Sequence, residues 1–559
     1  MSDKTFRYGN EIGRDKVRVH RGGNRLAGGH DHEMFFADLP VPRRSNVNLS
    51  FDRKLSFDMA ELVPVLCQEC VPGDTFHIAQ HHNIVMAPLV APIYHRLDYK
   101  TWYFFVPTRL LWEDWKDFIT YKEPDLVPPY FTGKDIATVV GDDDELYAKL
   151  LSPNSLFDYF DLPVHMSNFQ QNLRHICALP FRAYKLIWNE FFRDEFKQPE
   201  INTYDAGGAV LSTELKSYVK RKIGWEKDYF TTANIEPQFG PDVPIPVGLD
   251  ADGNMRFYAV NNMSPDLEVE TSDRFGFSAQ QSDDGSYASV IRDPDDSFKF
   301  DIRYAKGLAT TGTINDLRIA NHLQRYRDKL QIAGARYNEA ILAEFGVVVP
   351  DYRIQRPEYI GGFSNALETG RVLQTTPTAD SPLGSFAGQG LGNGRMDYIH
   401  HTCYEHGYII GISTVVPRSG YDQGIPRMFK KDDIFDYYHP DFAQLGDQEI
   451  LNDEIYVSTN EITGKPDDSR FGYQQRYAEY KYAMDKTNGE FRTSLNYWHM
   501  NRIFDIPPVL NSDFIECEPT NRIFAVEDDS ANKLYAEIYQ EIKAVRPMPI
   551  SVVPTLEND

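Results

Sequence analysis

The chain has 559 residues, 42% of them hydrophobic, including 33 Tyr and 35 Phe, which excludes a disordered chain and supplies a sizeable core. Its 58 basic and 82 acidic residues leave a net charge of −24, so the chain as a whole repels nucleic acid. Five scattered cysteines (Cys67, Cys70, Cys177, Cys403, Cys517) are not a disulfide framework and fit a reducing, cytosolic place of synthesis. The N-terminus lacks a signal-peptide pattern, and no window reaches eighteen uninterrupted apolar residues, so no membrane span is expected.

In chain order, residues 1–45 read as a flexible, glycine-rich basic arm. Residues 1–25 carry seven basic side chains against three acids, a local +4 in an otherwise −28 chain. Arg14, Lys16, Arg18, Arg21 and Arg25 are the candidates for contact with a phosphate backbone. From Leu49 short apolar or alternating runs are broken by turn signals such as Pro72-Gly73-Asp74. Leu97–Pro107 reads as a strand that a proline ends, and Trp112–Tyr121 as a short helix. Residues 122–180 are loop-rich, with Asp142-Asp143-Asp144-Glu145 read as a solvated turn. An aromatic helix follows at about 181–197.

Residues 241–300 hold twelve acids and four basic residues, with many Gly, Pro, Asp and Ser, and alternation at 255–260 hints at small strands. They read as a surface excursion in which Phe257, Tyr258, Phe275, Phe277 and Tyr287 could pack neighbouring copies together. Ile314 to Phe345 gives the longest helical pattern, with Leu317, Ala320, Leu323 and Leu330 on one face. Strand rhythm returns at Tyr408–Ile412 and Val415-Val416. Strands at both ends without βαβ alternation argue against Rossmann and TIM architectures and favour a jelly roll.

No motif commits the chain to chemistry. Cys67 and Cys70 form a single CxxC; His77, His81 and His82 stand near enough in sequence to complete a metal site, but two half-buried structural cysteines are the default. His30 and His32 lie in the arm, and His400, His401, Glu405 and His406 lack an activated nucleophile beside them. The run Gly388–Gly394 fails as a phosphate-binding fingerprint and reads as a loop. No cofactor and no metal are expected.

The segment Phe181-Arg182-Ala183-Tyr184-Lys185-Leu186-Ile187-Trp188-Asn189-Glu190-Phe191-Phe192-Arg193-Asp194 resembles a signature of the major capsid proteins of microviruses, small single-stranded DNA phages, especially those of gokushovirus type. Similar segments follow one another in order from about residue 44 to 510, among them Val71-Pro72-Gly73-Asp74-Thr75-Phe76, Trp102–Pro107, Asp228-Tyr229-Phe230-Thr231, Arg353–Gly362 and Phe471–Tyr480. The resemblance implies a mainly β, eight-stranded antiparallel jelly roll of viral capsid type, with long inter-strand insertions containing a few helices. It implies a T=1 icosahedral shell around circular single-stranded DNA, with other virion proteins and a bacterial surface receptor as further partners, and no catalytic residues. The domains then read as the arm (1–45), a first body segment (46–240), the 241–300 insertion as a three-fold protrusion, a second body segment (301–520) and a C-terminal segment (521–559). The rival reading is a secreted or periplasmic β-rich carbohydrate-active enzyme or carbohydrate-binding protein, since such chains are acidic and aromatic-rich and use paired carboxylates.

Overall fold

The computed structural model describes residues 43–238, 314–373, 386–458, 469–526, 528 and 531–550, together with the backbone of short strands within 16–20, 36–40 and 256–301. Ten strands build the main body: β1 (Ser45–Asn48), β2 (Phe51–Phe57), β3 (Glu61–Cys70), β4 (Thr75–Met86), β5 (Leu97–Pro107), β6 (Glu358–Leu373), β7 (Phe386–Arg395), β8 (Ile399–Thr402), β9 (Gly407–Pro417) and β10 (Leu534–Arg546). All pair antiparallel. One sheet runs β3-β9-β5-β6; the other runs β2-β10-β4-β7, with β1 and β8 on its margins. This is the strand order of a jelly roll. The long strand β6 joins the sheets: Glu358–Leu367 pairs with β5, and Glu368–Leu373 pairs with β7.

The burial pattern of each strand shows what covers it. In β10 buried and open positions alternate, so one face meets the core and the other meets solvent. In β5 and β9 nearly every residue is buried. Tyr103, Phe105 and Ile409 point into the sandwich, while Phe104, Val106, Ile410 and Ile412 pack outward under a helical layer carrying Trp112, Phe131, Phe157, Phe181, Tyr184 and Tyr218. Each buried ring of this size contributes about 1.5–3 kcal/mol. A polar cluster rivets the two sheets through the core. Gln80 of β4 donates to Tyr99 Oη at 2.7 Å, Tyr99 donates to Ser413 Oγ at 2.9 Å, and Tyr103 donates to Gln80 Oε1 at 2.6 Å. Gln540 of β10 closes the ring with its Nε2 3.2 Å from Gln80 Oε1. All these side chains are fully buried, so each must find its partner inside.

Four differences from the sequence reading have local causes. The glycine-rich run is strand β7, not a loop: Gly388, Gly390 and Gly392 are its buried positions. A Cβ at Gly388 would lie 2.4 Å from the carbonyl oxygen of Ala91, and one at Gly392 would lie 2.1 Å from Leu367. The aromatic helix is α1 (Leu179–Ile187), followed by a single π turn at Trp188–Phe192, and is shorter than expected. The long helical pattern divides into α2 (Ile314–Ala333) and α3 (Tyr337–Phe345), because Gly334 takes φ +104° and ends α2. The acidic run is no mere solvated turn: the Asp143 carboxylate accepts from the Leu146 amide at 3.0 Å and caps the helix Asp144–Leu150.

The chain divides into two compact units. One comprises residues 1–235 and 349–559; the other comprises 236–348 and so contains α2 and α3 as well as the acidic excursion. Among its described elements, Arg256–Asn261 pairs with Ser264–Glu270, and Gly276–Gln281 pairs with Tyr287–Arg292.

Candidate functional site

Helix α1 is a structural keystone. Arg182 and Glu214 are buried together, with Nε to Oε1 at 2.7 Å and Nη2 to Oε2 at 3.2 Å. The fork is completed by Leu111, whose carbonyl accepts from Nη1 at 3.0 Å, and by the Tyr218 hydroxyl, which donates to Glu214 at 2.5 Å. Tyr184 donates to the Leu62 carbonyl of β3 at 2.8 Å, tying the helix to the sheet edge. Lys185 reaches Ser217 Oγ at 2.8 Å, and burial pulls its ammonium down to about 8. Arg182, Tyr184, Lys185 and Asn189 of the signature each find a partner in the same unit.

The chemical candidates disperse. Cys67 and Cys70 stand three apart on strand β3, so they face opposite sides, one exposed and one buried, and cannot share a metal. His82 is buried against Tyr99 and Phe363, while His77 meets His400 of β8 on the open sheet face. Glu405 is held by Arg109 at 2.7 and 3.1 Å, and His406 packs edge-on against the Trp115 ring. Among the described residues no group of three His, Cys, Asp or Glu is placed to hold a metal ion.

The predicted contact residues lie at the margins of what is described. Lys16 and Arg18 sit on a strand Lys16–His20 that pairs with Phe36–Pro40, with Arg18 opposite Asp38, so the arm carries a two-stranded ribbon. Arg14, Arg21 and Arg25, like His30 and His32, lie outside the described residues. Phe257 and Tyr258 stand opposite Val269 and Glu268; Phe277 stands opposite Ile291 and Tyr287 opposite Gln281. Phe275 lies outside the described residues.

The strongest surface feature was not singled out from the sequence. Between β9 and the strand Asp447–Leu451 the chain makes three single turns, Arg427–Phe429, Ile434–Asp436 and Phe442–Gln444. Two of its cations are turned inward. Arg427 donates to the buried Glu454 at 2.9 Å and to the Glu449 carbonyl at 2.7 Å, and Lys430 meets the buried Asp453. Tyr477 donates to the Phe435 carbonyl at 3.1 Å and fixes the second turn. Its apolar side chains face outward: Met428 is 62% exposed, Phe429 72% and Ile434 64%. Leu445, Tyr437 and Tyr438 of the same loop are exposed as well. Such an inverted loop is uncommon on a monomer and characteristic of a surface that meets another protein. The available signal was a run of large apolar residues that fits neither helical nor strand period.

Residues 39–556 match the family described as capsid protein (F protein). The chain is similar to the capsid protein VP1 of Chlamydia phage 1, with 32% identity over 94% of this chain and 98% of that protein. It is 31% identical to the capsid protein VP1 of Bdellovibrio phage phiMH2K and 28% identical to that of Spiroplasma virus 4, with at least 94% of this chain and 98% of each relative covered.

Proposed function

The chain belongs to the capsid protein (F protein) family, and from that membership we propose a T=1 icosahedral shell of its copies enclosing circular single-stranded DNA. It is a structural phage protein of the virion that assembles with itself; the carbohydrate-active reading falls with the family match. The inverted apolar loop at 425–445 carries the assembly reading within the structure. Burying Met428, Phe429 and Ile434 against a neighbouring copy would remove their apolar surface from water at about 25 cal/mol per Å².

The finer assignments rest on charge and position. The arm bearing Arg14, Lys16, Arg18, Arg21 and Arg25 is the basic segment of an acidic chain and faces the genome. The 241–300 insertion is too acidic to bury unpaired and would repel phosphates, so it projects outward as a protrusion. There Phe257, Tyr258, Phe275, Phe277 and Tyr287 pack copies around a three-fold axis, and the tips meet a receptor on the bacterial host. Other virion proteins complete the particle. Synthesis in the host cytoplasm fits five cysteines that are all free thiols.

The test replaces Met428, Phe429 and Ile434 with Asp. The expected outcome is a soluble subunit with native circular dichroism that forms no shells by electron microscopy and light scattering. Normal shells from this variant would remove the loop from the assembly surface.

A further inference from the structure

Where β6 leaves one sheet for the other, a recess opens. At Glu368 and Leu391 the two strands are still paired; beyond that point β6 turns to pair with β5, while β7 continues along β4. The gap between them is a cavity of about 550 Å³, within the span of small-molecule sites. Its walls are Gly361–Asn365 from β6 and Asn393–Ile399 at the end of β7.

The lining has a definite chemistry. Asn365 and Asn393 offer amides, which both donate and accept. Asn365 is held in place: its Nδ2 donates to the Asn393 carbonyl at 3.1 Å and lies 3.3 Å from Nε2 of His82. Burial draws His82 down to about 4, which keeps the ring beside this amide neutral. Among the described residues nothing bonds Oδ1 of Asn365. Tyr398 presents a ring at the rim, with the Arg395 guanidinium 6.0 Å and the Lys543 ammonium 5.4 Å from its centroid. The nearby Glu541 carboxylate is occupied by the Tyr398 hydroxyl, by Lys543 at 2.9 Å and by Arg395 at 3.9 Å. Asp397 is a further acid in the lining.

The recess opens beside a sheet face that no helix covers among the described residues. Lys543 and Glu541 belong to β10, whose outward positions also carry Tyr535 and Tyr539, with His81 of β4 against Tyr539 at 5.8 Å. Amides for a base edge, a ring to stack on, two cations beside it and more rings along the sheet are the components of a single-stranded nucleic-acid site.

We propose that this recess takes an unstacked base of single-stranded DNA, stacked on Tyr398 and held at its edge by Asn365 and Asn393, with Arg395 and Lys543 meeting the flanking phosphates. The site rests on the reading that the shell encloses such DNA.

The test is photocrosslinking in native particles whose DNA carries 5-iododeoxyuridine, followed by mapping of the modified peptides. The expected adduct is on the peptide containing Tyr398. Adducts confined to residues 1–25 would overturn the recess and leave the enclosing reading intact; particles without DNA would overturn both. Oligodeoxythymidylate binding to dissociated subunits gives a second readout. Asn393→Ala with Tyr398→Ala should weaken binding about tenfold, the scale of one stacked base. Tyr398→Phe keeps the ring and should bind like the parent. Equal binding by all three proteins would overturn the proposal.

Discussion

Arg182 and Glu214 are thirty-two residues apart and meet inside the body, both buried. Replacing Arg182 with Met leaves a buried carboxylate unpaired and should cost about 3–5 kcal/mol, read as a fall in the urea midpoint of dissociated subunits. Adding Glu214→Leu should recover most of that loss, because an apolar pair no longer needs the bridge. Lys185 gives a pH signature. Burial holds its folded value at about 8 against an ordinary 10.5, so between those values the unfolded chain binds more protons. Stability at this residue therefore rises as pH rises through that window. Denaturant unfolding across pH 7 to 10.5 should show Lys185→Met closest to, or above, the parent at pH 7, with the parent gaining on it as pH increases. None of these pairings was legible in the sequence. The signature placed Arg182 and Lys185 on a helix, but which side chains they face is decided by chain segments brought together only by the fold.

Strands were legible where side chains carried the signal. Leu97–Pro107 is rich in rings and β-branched residues and ends at a proline, and the fold gives those bounds. Strand β7 was missed because glycine has no side chain to show alternation. Yet Gly388, Gly390, Gly392 and Gly394 recur at every second position, which is itself the period of a strand. These glycines are not equivalent. At Gly388 an added methyl meets backbone, while at Gly390 it meets the flexible end of Met86, whose Sδ would lie 2.1 Å away. Gly388→Ala should therefore cost about 1–3 kcal/mol and Gly390→Ala less, by chemical denaturation of the two variants side by side. The break between α2 and α3 had a visible sign in Gly334, a residue that can end one helix by taking positive φ before another begins.

At the scale of the molecule, the jelly roll was legible from strands at both ends of the chain without βαβ alternation, and the ordered series of family segments named its use. The proposed assembly surface was not, because exposure of Met428 and Phe429 follows from where Arg427 and Lys430 find buried acids. Residues 236–348 form a compact unit of their own, so a segment within them should be removable. Replacing residues 245–296 with a short Gly-Ser linker should leave shells that form by electron microscopy but no longer adsorb to host cells. Failure to form shells would make the insertion a clamp between copies, and normal infection would remove it from host contact.

The main sheet also settles where the polypeptide begins and finishes its course through the body. Ser45 lies opposite Arg546, and Asn48 opposite Lys543, in adjoining antiparallel strands. The chain thus enters and leaves the sandwich at one corner, like a thread tied off where it started. A peptide tag fused after residue 559 would be tethered beside the root of the basic arm, thirteen residues from the point where β10 ends.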